Sequence, residues 1–317
     1  MKKRYLFLAL IILSLASIFI GVKEISFLDI LNLDEEKTRI VLISRLPRLI
    51  SIIVAGVSMS ISGLIMQQIS RNKFVSPTTA GTIDCAKLGM LVSLIVFSSA
   101  SSLKKMMIAF AFSLVGTFLF MRIIKKIKFK NVIFIPLVGI MLGNIIDSIT
   151  TFFAYKYDMI QNISSWLQGN FSMIIKGRYE LLYFSIPLVI IAFLYANKFT
   201  VAGMGEDFSK NLGLNYNSIV NLGLIIVALV SALLIITVGK IPFLDLIIPN
   251  IVTIYQGDNL KNSILHTALL GAVFLLACDI LGRIIIYPYE ISIGLTVGII
   301  GSGIFLYLLI RRKAHEA

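Results

Sequence analysis

The sequence predicts an all-α, polytopic membrane protein with about ten transmembrane helices, and three observations carry that prediction. First, 58% of its 317 residues are hydrophobic and only 14% are charged, giving a mean hydropathy of +0.94. Soluble domains carry about 25% charged residues. Second, the apolar residues come in blocks of bilayer length from Tyr5 to Ile310, not in periodic stripes. A helix needs about 20 of them to cross the hydrocarbon core. Third, there is no run of alternating segments about 10 residues long, as a transmembrane β-barrel would require.

In chain order, the predicted membrane cores are 5–21, 48–67, 79–99, 106–121, 132–154, 181–196, 217–238, 243–256, 264–286 and 291–310. The first follows a basic MKKR start and resembles a signal peptide, but no A-x-A site follows it, so it reads as an uncleaved span. The second carries Ala55, Gly56, Ser58, Ser60, Ser62 and Gly63. Small residues three and four apart let helices approach closely in lipid. That pattern fits internal packing, and it also fits a helix lining a pathway. The eighth core is short and holds Pro249, so a broken or tilted segment is expected there. Between the fifth and sixth cores, the stretch around Trp166 has the amphipathic character of an interfacial helix.

Orientation follows from Lys and Arg. Both ends and the RIIKKIKFK cluster are basic, which places both termini in the cytoplasm and favours an even number of spans. The net charge of +13 is explained by topology and anionic lipid, so nucleic acid is not an expected partner. Cys85 and Cys278 are far apart and lack metal-ligand spacing; they read as small buried hydrophobes, and no metal site is expected.

Enzyme constellations are missing: HExxH, GxSxG, CxxC and the P-loop GxxxxGK[ST] do not occur. The polar island GMGEDFSKNLGLN, residues 203–215, lacks the glycine spacing and βαβ setting of a nucleotide fingerprint. Gly203 and Gly205 are expected to punctuate the exit from the sixth span, and Gly213 to end a short helix. Glu206 and Asp207 then occupy that helix's first turn, where the dipole favours acids. Asp84, Asp147, Asp279 and Asp245 lie in or beside apolar stretches, where ionisable residues are costly and need a cavity or a partner. Asp279 precedes Arg283 by four residues and Asp84 precedes Lys87 by three, both spacings that allow a helical ion pair. A proton relay would use the same acids.

Several strings together resemble the FecCD family, the permease subunits of ATP-binding-cassette importers for iron-siderophores, haem and vitamin B12. They are RLPRLISIIVAGVSMSISGLIMQQISRN (45–72), the polar island with its Leu212-Gly213 close, GKIPFLDLIIPN, and CDILGRIIIYPYEISIGLTVGIIGSGIFLYLLIRR. The likeness covers nearly the whole chain as one permease domain, residues 1–317. RNKFVSPTTAGTIDCAKLG and TTFFAYKYDMIQNISSWLQGNFS look most like permeases for catecholate and related siderophores, of the petrobactin and enterobactin type. The chain departs from the family pattern at Asp245, where Gly is usual, at Asn250, where His is usual, and at Lys73, Ser292 and Gly303, where Pro is usual.

The resemblance implies a permease without its own ATPase site, binding no cofactor, with ATP used by a partner. Its implied partners are a second permease chain, identical or related, two ATP-binding subunits and an extracytoplasmic siderophore-binding protein. By resemblance Arg45, Arg48 and Arg283 dock the binding protein, since a guanidinium is a bidentate fork for carboxylates. Gly205, Glu206, Asp207, Lys210, Asn211 and Gly213 belong to the segment that couples to the ATPase. Ser60, Gly63 and Gln67 of the second span, with Asn144 and Asp147 of the fifth, are the candidate lining of the translocation pathway. The rival reading is a proton- or ion-coupled secondary transporter driven through the intramembrane acids.

Overall fold

A computed structural model describes residues 2–21, 35–77, 81–126, 134–174 and 179–316. Most of the segment between the first two predicted cores, residues 22–34, and the end of the basic cluster at Lys128 and Lys130 lie outside the described residues.

The described residues are helical almost throughout. The helices are α1 (Lys3–Phe19), α2 (Glu35–Ile40), α3 (Leu46–Ser70), α4 (Thr82–Val96), α5 (Ser102–Lys126), α6 (Phe134–Lys156) and α7 (Ile160–Leu167). They continue as α8 (Ser185–Leu194), α9 (Ala196–Met204), α10 (Glu206–Asn211), α11 (Tyr216–Val238), α12 (Leu244–Gln256), α13 (Leu260–Ile284) and α14 (Ile293–Glu316). A π-helical turn, Val41–Arg45, joins α2 to α3, and a 3₁₀ turn, Glu180–Phe184, leads into α8.

Every predicted membrane core is represented by a helix, but the helices differ in length. Among the described residues five are long and apolar enough to span, and the Glu180–Leu194 and Ala196–Met204 pair, bent by 61°, would make six. The predicted sixth core is thus a bent pair, not one straight rod. α4 begins three residues later than its apolar block, and α12 is 13 residues with Pro249 inside it. α7 is the amphipathic helix expected beside Trp166, with Ile163 buried and Gln161, Asn162 and Ser164 exposed.

α3, α11 and α13 form the centre. α3 is buried along most of its length, and its small residues explain how. A Cβ at Gly56 would lie 2.7 Å from the Gly271 carbonyl oxygen, and one at Gly271 would lie 2.4 Å from that of Gly56. The two backbones cross in direct contact, the packing that small residues permit in lipid. Gly63 makes a tighter approach to α12. Pro249 offers no N–H to the Asp245 carbonyl four residues back. That freed oxygen is turned toward Gly63, where a Cβ would lie 1.8 Å from it. The proline and the glycine are therefore complementary features of one crossing.

Peripheral faces carry the lipid-compatible surface. Leu8 and Ile12 of α1, Val115 and Phe118 of α5, and Leu194 at the end of α8 are all exposed. With α3 of 25 residues spanning about 37 Å, the molecule has two ends. One gathers the C-termini of α1 and α13 with the N-terminus of α3. The other gathers the C-terminus of α3 with α9, α10 and the start of α11.

Candidate functional site

At the second end, α10 is delimited as its glycines require. Gly205 has φ of 122° and Gly213 has φ of 74°, values that disfavour any side chain. The Gly213 N–H donates to Lys210 O at 2.9 Å and the Leu214 N–H to Ser209 O at 2.9 Å, the paired bonds of a Schellman close. Ser209 is buried, its hydroxyl donating to Gly205 O at 2.6 Å and Val201 O at 3.1 Å. α10 is therefore tied to α9. Asn215 caps α11 by accepting the Ser218 N–H at 3.1 Å.

Glu206 and Asp207 open the helix, and Lys210 Nζ lies 2.8 Å from Glu206 Oε1, one turn apart. That hydrogen bond pushes the exposed Lys210 ammonium above its usual range. Arg71, in the left-handed region at the end of α3, packs against Gly205, where a Cβ would meet its Nη2 at 2.3 Å. Gly203 stands one residue before the end of the bent pair that makes the sixth core. It lies inside α9, and its missing side chain admits the Gln68 amide, which would stand 2.2 Å from a Cβ.

What sequence reading missed here is the apolar component. Met204, Phe208 and Leu212 are 57%, 47% and 58% exposed, beside the exposed Asp207 and Asn211. A compact apolar group rimmed by polar residues marks an interaction surface.

At the first end the three predicted arginines lie within one network. Arg48 Nη2 lies 2.8 Å from Asp279 Oδ1 and its Nη1 2.7 Å from Glu290 Oε2. Arg283 donates from Nε to Asp279 Oδ2 at 2.8 Å and also pairs with that oxygen through Nη2, the helical spacing anticipated from sequence. Its remaining donors reach Ser17 O and Ile20 O at 2.9 Å each and Ser17 Oγ at 2.8 Å. Arg45 donates to Ile18 O. Carbonyls at a helix C-terminus lack intrahelical donors, and here two guanidiniums supply them to α1. Arg45 and Arg283 are accordingly only 9% and 5% exposed. The network's outermost member is Glu290, reached from Arg48.

The predicted pathway residues separate into two groups. Ser60, Gly63 and Gln67 point into the subunit, against α12 and α13, with Gln67 Nε2 donating to Leu246 O at 3.2 Å. Asn144 is exposed on α6, and the Asp147 side chain is 45% exposed. Asp147 holds Lys87 of α4 at 2.6 Å. Lys87 thus pairs across helices and not with Asp84 in its own, because α6 packs against that face of α4. Asp245 is buried and accepts a hydrogen bond from Ser76; Asn250 donates to Lys73 O at 2.8 Å. The departures at Asp245 and Asn250 therefore fasten the stretch after α3 to α12.

This architecture defines a multi-pass helical membrane protein. The sequence model of the FecCD transport family matches residues 9–311, so the chain belongs to that family. It is 69% identical over 315 residues, 99% of this chain and 100% of the relative, to the petrobactin import system permease protein YclN of Bacillus subtilis. It is 38% identical to the ferric-anguibactin transport system permease protein FatD of Vibrio anguillarum, covering 96% of this chain and 97% of the relative. Its fold matches a chain of a metal-chelate type ABC transporter in an inward-facing conformation, with a TM-score of 0.86 at 22% identity, covering 98% of both chains.

Proposed function

We propose that this chain is the membrane-spanning permease of an ATP-binding-cassette importer that carries iron-siderophore complexes, petrobactin-like chelates foremost, into the cytoplasm. The observation that carries this reading is 69% identity to a petrobactin permease along the whole chain. In our reading it works in the cytoplasmic membrane with a second permease chain, two ATP-binding subunits and an outer siderophore-binding protein. It crosses about ten times, with both termini cytoplasmic, if the shorter apolar helices also span. ATP is hydrolysed on the partner subunits, and this chain holds no nucleotide or other cofactor.

α10 supplies the coupling surface. Two positive-φ glycines and the buried Ser209 make it a rigid element, and Met204, Phe208 and Leu212 give it apolar anchors. Movement of the ATP-binding subunits would be transmitted through α9 and Arg71 to the end of α3. Glu206→Lys with Asp207→Lys is expected to reduce ATP-driven uptake at least about tenfold, and Phe208→Ala to weaken capture of the ATP-binding subunits by about 2 kcal/mol, as at an interface anchor. Pull-down and uptake in the assembled transporter measure both. Normal capture and uptake in both variants would refute the assignment.

We place binding-protein docking at the opposite end, around Arg45, Arg48 and Arg283. Arg48→Gln should weaken association of the binding protein at low salt, with the difference narrowing as salt screens it. Association unchanged at every salt concentration would remove Arg48 from the docking surface. The proton-coupled rival is separated by energetics: uptake should stop with vanadate and persist when a protonophore collapses the gradient while ATP is maintained.

A further inference from the structure

Asn144 begins an exposed polar stripe on α6 that continues through Ser148 and Thr151, one to two turns on. Asp147 stands at the edge of this stripe with its carboxylate 45% exposed, while its partner Lys87 is only 17% exposed. Asp84 adds a second carboxylate behind them, packed against Gly143, where a Cβ would meet its Oδ2 at 2.4 Å. Asn144, Asp147, Ser148 and Thr151 lie on a helix of spanning length and apolarity, and Asp84 and Lys87 lie on the neighbouring α4.

A half-exposed aspartate on a spanning helix cannot face hydrocarbon cheaply. A charged side chain at the centre of a spanning helix is costly and faces a cavity or a partner. The stripe must therefore meet water or protein. Within it the outward group is the carboxylate, and the ammonium sits beneath as its counter-ion. Lys87 and Lys240 both act on the inner Asp84, so the negative charge turned outward is that of Asp147.

We propose that Asp147, oriented by Lys87, is a charged station on a water-filled path through the membrane, offering a carboxylate to protonated amines and other hydrogen-bond donors on the passing chelate. This rests on the permease reading and adds the chemistry that the path presents. Lys87 acts as a positioning residue. It fixes the carboxylate's direction and keeps the aspartate from turning back into the subunit. The path would then concentrate cationic groups and repel anions.

The test is thiol labelling at Asn144→Cys, with the full chain in membrane vesicles, using a cationic and an anionic methanethiosulfonate. Rates are normalised to those with a free thiol in solution, and the parent chain, whose Cys85 and Cys278 are buried, gives the baseline. The cationic reagent should react about tenfold faster, the size of effect that focused charge has on encounter rates. Asp147→Asn in the same background should abolish or invert that preference, because Lys87 is then unpaired. Lys87→Gln with Asp147→Asn should bring the ratio close to one. No reaction above baseline would overturn the proposal by placing the stripe against lipid or protein. A preference unmoved by Asp147→Asn would overturn the role of the carboxylate. Labelling does not depend on capture of ATP-binding subunits, so failure here and failure of the coupling assignment are separately visible.

Discussion

Gly63→Leu is expected to abolish recovery of folded protein, and Gly63→Ala alone to destabilise it by about 3 kcal/mol, the upper end of overpacking costs. A Cβ at Gly63 meets backbone, not a side chain that can rotate away. The Asp245 carbonyl oxygen would be 1.8 Å distant and its carbon 2.7 Å. Relief requires α12 to move off α3, and α12 is held there. Gln67 donates to Leu246 O, Asn250 donates to Lys73 O, and Ser76 donates to the buried Asp245 carboxylate. Gly303→Ala is the matched control, since nothing lies within 4 Å of a Cβ there, and it should change stability by less than about 0.5 kcal/mol. Fluorescence-detected size exclusion after a temperature series measures both. Equal midpoints for Gly63→Ala and Gly303→Ala would show that the crossing is looser than the structure has it.

The glycine at this crossing was legible only in part. The small-residue run of α3 announced close packing, since that chemistry is local and periodic. Which helix fills the gap was not legible, because the Asp245 carbonyl belongs to α12, far along the chain, and is freed by Pro249 rather than by any residue beside it. The same division holds elsewhere. Gly205 and Gly213 could be read as the limits of α10, since positive φ is a property of single residues. The Asp279–Arg283 pair could be read because both partners lie on one helix turn. Lys87 could not be matched to Asp147 from spacing, since their contact depends on α4 and α6 lying side by side. The 61° bend between α8 and α9 carries no sequence signal either: neither Gly nor Pro stands at Tyr195. Apolar blocks mark where the chain enters lipid, and they are nearly silent about which charged groups meet inside it. The arginines illustrate the consequence. Their role by resemblance concerns a partner outside, yet most of their donors are engaged by α1, Asp279 and Glu290.

That engagement makes Asp279→Ala the second large effect, an expected loss of about 3–5 kcal/mol, the cost of removing one member of a buried ion pair. Among the described residues Asp279 is the one carboxylate bonded to Arg283, and it also takes two bonds from Arg48. Its side chain is 3% exposed and that of Arg283 is 4% exposed. Without it the Arg283 guanidinium is left in the interior without its bonded carboxylate and with only the more distant Glu290 charge, which Arg48 holds at 2.7 Å. The burden falls on Arg283, and through it on α1, whose terminal Ser17 and Ile20 carbonyls it holds. A double variant separates charge from packing. Asp279→Leu with Arg283→Met removes both members at roughly constant volume, and such replacements of buried pairs are often neutral or stabilising. It should recover most of the stability lost in Asp279→Ala, although α1 loses the donors that covered its last carbonyls and some deficit should remain. Thermal midpoints in detergent decide it. A double variant as unstable as Asp279→Ala would mean that the carboxylate acts through its contact to Arg48, and that the α3–α13 junction, not the seat of α1, depends on it.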